Sequence, residues 1–264
     1  MNFEDELIDR SATSFAKFLL PHLKPDDRVL DFGCGSGSIA VGLGDVVGSG
    51  EVIAVDVEAS EFGPAIRYLG DHSTDHVRFL AADGAALPFT EAVFDAVLCH
   101  SVLEVLPDPL KALDEIVRVL VPGGVFGAAS VDYGGLLVAG PERPLLAGFY
   151  EARERLWSVE SIARPRAGRD LRGLFHAAGL TDIEAGARYV SYGDGAAIRS
   201  FGLARAAECV DPWFSSRVTD LGLTTVANLK KTERAWRSWS ESGDAFLAFP
   251  WCHAIGRKPL IDRP

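Results

Sequence analysis

Apolar and polar positions keep two different periods along this chain. Residues 3–20 set Phe3, Leu7, Ile8, Phe15, Phe18 and Leu19 at helical spacing. That pattern predicts an amphipathic opening helix, ended by Pro21 and Pro25. Short apolar runs then alternate with helical stretches. "RVLDF", "EVIAVDV", "HVRFLAAD", "FDAVLCHSV" and "GVFGAASVDY" read as strands. "SGSIAVGLGDV", "SEFGPAIRYLGDH" and "PLKALDEIVRVL" read as the helices between them. After residue 132 the beat breaks into a loop and a helix. It resumes in "RDLRGLFHAAGLTDIEAGARYVSY", a helix closed by Gly179 and then a strand. Residues 194–242 read as helical throughout, and "AFLAFPWCHAIGRKP" as a last strand.

Strand and helix alternating in this way predict an α/β fold. The expected core is a seven-stranded, mostly parallel sheet with helices on both faces, because its strands are nearly continuously apolar. The segments expected are an N-terminal lid helix (1–24), an α/β core (25–131) and a cap insertion (132–165). A core helix and strand (166–192), a helical cap (193–243) and a final strand with tail (244–264) follow.

Composition narrows the partners. The 264 residues are 48% hydrophobic and 24% charged, with net charge −11. No Lys/Arg-rich run is present, which argues against a nucleic acid partner. Cys34, Cys99, Cys209 and Cys252 form no CxxC pair, so neither a metal site nor a disulfide framework is expected. The acidic "MNFEDELIDR" is unlike a secretory signal. No apolar run approaches the roughly 18 residues of a spanning helix. The expected setting is cytoplasmic, without membrane contact. A homodimer stays open.

The chemistry begins at "VLDFGCGSGSIA", residues 29–40. A strand, a glycine turn and a helix N-terminus present free backbone N–H groups. Gly35, Gly37 and Ala40 also fit a dinucleotide fingerprint, a weak signal alone. Asp31 separates the two readings. A carboxylate two residues before the first glycine repels a pyrophosphate and attracts a cationic amino acid. Asp56, about twenty residues past the glycines, suits a ribose diol. Asp83 is a third acid at a third strand end. Three carboxylates on one rim suit an uncharged nucleoside with a cationic tail. The plain alternatives are a helix cap for Asp31 or Asp56 and a turn for Asp83.

"VLDFGCGSGSIA", "VIAVDV", "LAADGAALPFTEAVFDAVLCHSVLEVLPDP" and "RVLVPGGVFGAAS" resemble, in order, the motifs of the S-adenosylmethionine-dependent methyltransferases of Rossmann-like fold. The subgroup resembled contains ubiquinone, menaquinone and natural-product methyltransferases. The resemblance covers residues 25–131 strongly, and 165–192 and 244–258 weakly. It implies that Gly33, Cys34 and Gly35 line the methionine part of S-adenosyl-L-methionine and that Asp31 holds its amino group. It places Asp56 on the ribose, Val57 on the adenine, and Asp83 with Gly84 at the adenine amino group. Cys99 and His100 fall near the methionyl end. Where relatives often read Glu-His, this chain has Glu104-Val105.

The resemblance implies methyl transfer to an apolar or aromatic small molecule, in natural-product biosynthesis. His100 is the first candidate for a base, with Tyr133, Glu104 and Asp132 near strand ends on the same rim. His253 reads as structural. Trp157, Trp213, Trp236 and Trp239 read as core, or as walls of a substrate chamber. Three rival functions remain at this level: an NAD-dependent oxidoreductase, a rearrangement or cyclisation catalyst that keeps the cofactor, and a non-enzymatic cofactor-binding regulator.

Overall fold

A computed structural model describes residues 11–63, 65–66, 76–161 and 163–260. The chain forms two compact units. The described residues of 2–130, 167–186 and 252–264 make one, and those of 131–166 and 187–251 the other.

The first unit is built on a sheet. Its strands are β1 (Arg28–Phe32), β2 (Glu51–Asp56), β3 (Val77–Ala81), β4 (Phe94–His100) and β5 (Leu120–Val131). Parts of β7 (Thr181–Tyr192) and β8 (Phe246–Arg257) complete it. The strand order is β3-β2-β1-β4-β5-β8, with β7 beside β8. The pairs β1–β2, β1–β4, β2–β3 and β4–β5 are parallel. In the register, Asp31 lies opposite Ala54 and Leu98, and Cys99 opposite Ala128. The strand order reverses at β1, between β2 and β4, the point where open α/β sheets bind ligands.

Both faces of the sheet are covered. Val29 joins a cluster with Leu43, Val47 and Leu98 under α2 (Ser38–Val47). Leu30 and Phe32 join the opposite cluster with Leu113, Ile116 and Val119 of α3 (Pro109–Val119). Helix α3 starts where expected. Asp108 accepts from the Lys111 N–H at 3.3 Å, and Pro109 follows it. Its buried positions 112, 113, 116 and 119 follow the helical period. The short α5 (Leu171–Ala177) packs Leu171 and Phe175 into the same cluster.

The second unit is helical: α4 (Arg143–Val159), α6 (Gly195–Val210), α7 (Pro212–Asp220) and α8 (Val226–Ser240). Asp194, Asp211 and Thr225 cap the last three by accepting backbone N–H bonds. Phe149, Tyr150, Phe201, Phe214, Trp236, Trp239 and Phe249 form its core. The short strand β6 (Leu137–Ala139) pairs antiparallel with Phe246–Ala248 of β8.

Several expectations change. Eight strands are present among the described residues, one more than expected. The extra strand, β6, is three residues inside "YGGLLVAGP", too short for a period and flanked by turn formers. The opening helix partly falls outside the described residues. What is described is α1 (Ala12–Phe15), then a 3-10 turn over Leu20–His22 that contains Pro21. Strands β3 and β7 are largely exposed rather than buried on both faces. Trp157, Trp236 and Trp239 are fully buried in the helical unit, whereas Trp213 is exposed. His253 stacks on Phe18 with ring centres 4.9 Å apart.

Candidate active site

A cavity of about 410 Å³ opens at the carboxyl ends of β1, β2 and β4. Asp31, Gly33, Cys34, Gly35, Asp56, Val57, Asp83, Gly84 and His100 line it. Nine of the ten residues assigned to the cofactor thus share one hollow. The tenth, Cys99, is buried in the apolar cluster with Leu30 and Phe32 and does not line the cavity. It faces the sheet's interior because side chains alternate along β4 and His100 takes the opposite direction.

The turn is held from β2. Gly33 and Cys34 both donate their N–H to the Val55 carbonyl, at 2.8 and 2.9 Å. Gly35 donates to Asp56 Oδ2 at 2.8 Å. Asp56 Oδ1 accepts from Glu58 N–H at 3.2 Å. The acid expected to read a ribose therefore also ties the glycine turn to its own strand end. Gly33 has φ +74°, and a β-carbon there would lie 2.2 Å from Val102 Cγ2. No other residue fits without moving Val102. Helix α2 begins at Gly37 with no side-chain cap, so its first N–H groups face the turn.

Asp31 is the electrostatic centre. It is 2% exposed, and its Oδ2 has no hydrogen-bond partner. Burial first, and the Asp56 charge second, raise its pKa from 3.8 to about 7. The helix-cap alternative fails, since Asp31 caps nothing and α2 has no side-chain cap. A buried carboxylate with an unused oxygen in a ligand-sized hollow is built to meet a cation. Cys34 is a contrast. Burial, Asp31 and Asp56 all push its thiol upward, so it lines the turn as an unreactive group. Asp83 is exposed and accepts from Ala85 N–H at 2.8 Å.

The third wall comes from the end of β4. His100 is 6% exposed and meets the Phe15 ring edge to face, with centres 5.3 Å apart. Ser101, Val102, Val105 and Leu106 continue the lining and were not anticipated. The run "HSVLEVL" shows apolar residues there, but nothing in it shows that they turn to a ligand. Glu104 does not line the cavity. Its carboxylate takes the Ser101 hydroxyl at 2.9 Å and the Ser130 hydroxyl at 2.6 Å. Tyr133 belongs to the helical unit, where it stacks with Tyr150 and meets Phe249 edge to face. Asp132, in that same unit, turns its carboxylate to Gly134 N–H. No group of three or more metal-ligating side chains occurs among the described residues.

An α/β sheet with acids at three neighbouring strand tips around a glycine turn defines an α/β protein with a ligand-sized hollow at its switch point. Comparison with known proteins carries the definition further. The family described as methyltransferase domain matches residues 30–128. A probable methyltransferase, ltbC, of Aspergillus luteorubrus is 31% identical over 94% of this chain and 92% of its own length. The 2-phytyl-1,4-naphtoquinone methyltransferase of Synechococcus elongatus is 37% identical over 53% of this chain and 58% of its own. The YcgJ protein of Bacillus subtilis shares the fold at TM-score 0.60 and 20% identity, over 92% of this chain and 97% of its own. This chain belongs to the S-adenosylmethionine-dependent methyltransferases of Rossmann-like fold.

Asp56 gives a direct check on how the cofactor is held. Asp56→Ala removes the carboxylate that holds Gly35 N–H and that is expected to read the ribose diol. Affinity for S-adenosylhomocysteine should fall by about 10–100-fold, the scale of one charge-assisted hydrogen bond. Calorimetric titration measures this, and unchanged affinity takes Asp56 out of the ribose site.

Proposed function

We propose that this enzyme transfers the methyl group to an apolar or aromatic small molecule, with His100 as the proton acceptor. The observation that carries the cofactor's placement is the unpaired, buried Oδ2 of Asp31 on the cavity wall. Asp31 holds the amino group, Asp56 the ribose hydroxyls, and Asp83 with Gly84 the adenine edge. Val57, 70% exposed and lining the cavity, is free to be covered by the adenine ring. The bound cofactor supplies a methyl group activated by its sulfonium. The chain's own task is then alignment, and holding reacting groups in line contributes up to roughly 7–11 kcal/mol in ideal cases.

Val102, Val105 and Leu106 give one side of the cavity an apolar wall, which suits an uncharged acceptor. The names of the relatives support an aromatic one, since one of them acts on a naphthoquinone. A hydroxyl acceptor must lose a proton as its oxygen takes the methyl. The His100 imidazole, on the same wall, accepts it. A place in natural-product biosynthesis and a cytoplasmic location belong to this same reading.

Incubation with S-adenosylmethionine and a panel of phenols and hydroquinones tests the reaction class by product mass. A gain of one methylene supports transfer. Consumption of substrate without a mass change means rearrangement instead. His100→Ala should lower turnover of a hydroxyl acceptor by about 10²–10⁴-fold. Its affinity for S-adenosylhomocysteine should stay within a few fold. Equal turnover leaves His100 with packing alone.

A further inference from the structure

Among the described residues of the cavity wall, glycines apart, Ser101 alone sits in the left-handed region, with φ +63°. Such a conformation costs about 1–3 kcal/mol for a residue with a side chain and persists only when its surroundings hold it. Three bonds hold this one. The Ser101 N–H donates to the Ala129 carbonyl at 2.9 Å. Its hydroxyl donates to Glu104 Oε1 at 2.9 Å. Glu104 Oε2 takes the hydroxyl of Ser130 at 2.6 Å. Ser130 is fully buried on β5, and Glu104 is 5% exposed. A carboxylate deep in the protein thus ties the exit of β4 to the tip of β5. The bend it fixes matters on both sides. His100, just before it, presents its ring to the cavity and to Phe15. Val102, just after it, presses on Gly33 of the cofactor turn.

We propose that Glu104 is a positioning residue: by holding the Ser101 and Ser130 hydroxyls it fixes the left-handed bend after β4. It thereby sets the direction of the His100 imidazole and the seat of Val102 against Gly33. The proposal rests on the reading that His100 faces the cofactor cavity. It replaces the direct catalytic role that sequence position gives Glu104. The carboxylate never meets the reactants. It acts through the backbone it bends.

Histidine-selective NMR reads this without a methyl acceptor. The His100 signals, identified by their loss in His100→Ala, should carry a ring-current displacement imposed by Phe15. S-adenosylhomocysteine should move them further. In Glu104→Ala, and to a smaller extent in Glu104→Gln, the displacement should be lost while the protein stays folded by thermal melting. Adding Ser101→Gly to Glu104→Ala removes the cost of the left-handed bend and should restore much of the displacement. A merely structural glutamate predicts no such rescue. If the His100 signals of Glu104→Ala and Glu104→Gln match the wild type, the proposal is overturned. Loss without rescue by Ser101→Gly overturns it too. If S-adenosylhomocysteine binds the wild type yet leaves the His100 signals unmoved, the cavity reading fails instead.

Discussion

Asp31→Asn should weaken cofactor binding and, at the same time, stabilise the ligand-free protein increasingly as pH rises. Both halves follow from one buried carboxyl. Its pKa rises from 3.8 in the open chain to about 7 in the fold, through burial and then Asp56. Between those values the folded state keeps a proton that the unfolded state has lost. Stability therefore falls as pH climbs from about 4 to about 7 and levels off above. At roughly 1.4 kcal/mol for each step of one in pH across that window, the cost has a ceiling of about 4 kcal/mol. Asparagine removes the titration, though its buried amide brings a constant penalty of its own. The difference in melting temperature between variant and wild type should thus grow from pH 5 to pH 8, whatever its offset. Binding runs the other way. An ammonium group favours ionised Asp31, so wild-type affinity for S-adenosylhomocysteine should rise from pH 6 to pH 8 with release of a proton. Asp31→Asn should bind about 10–100-fold more weakly at pH 8, and its affinity should lack this rise. A variant as tight as the wild type, or a melting difference that ignores pH, removes Asp31 from this role.

The parts of this site that can be read from sequence are those carried by the backbone plan. A strand, three glycines and a helix follow one another locally in residues 28–47, so their geometry is written in consecutive residues. Asp56 and Asp83 are legible for a related reason. Each follows an apolar strand, and parallel strands bring such ends to one rim. Cys99 and Glu104 turn elsewhere because a position near a strand tip does not say which way a side chain points. Cys99 goes to the core, and Glu104 to two hydroxyls, one of them 26 residues away. Ser101 gives no sign in the sequence, since its left-handed backbone goes with a bond to Ala129, 28 residues on, and with a glutamate that also reaches Ser130. The same limit applies to β6, whose three residues pair with a strand more than a hundred positions later. Long-range partners decide these details, and no local period announces them.

Glu208→Leu should destabilise the helical unit by about 3–5 kcal/mol, the scale for breaking a buried ion pair from one side. Glu208 lies on α6 and is 7% exposed. Its Oε1 is 2.9 Å from Arg153 Nε on α4, and its Oε2 is 3.1 Å from Arg205 Nη1 one turn earlier on α6. Both arginines are buried, at 2% and 7% exposure. Arg153 also lies over the Trp157 ring at 4.2 Å, and Arg205 over Phe201 at 5.2 Å. Those aromatic faces attract the cations but cannot replace a carboxylate. Removing Glu208 takes away the one anion that both buried arginines share. Substituting all three residues with apolar ones of similar size removes the charges along with the pairing. Such a triple variant, Arg153→Met with Arg205→Met and Glu208→Leu, should recover most of the loss or exceed the wild type. The measurement is selective by construction. All five tryptophans, at 157, 213, 236, 239 and 251, belong to this unit, so fluorescence during denaturant unfolding reports on it. If Glu208→Leu unfolds at the wild-type midpoint, the triad holds nothing. If the triple variant is no better than the single, packing rather than buried charge sets the cost.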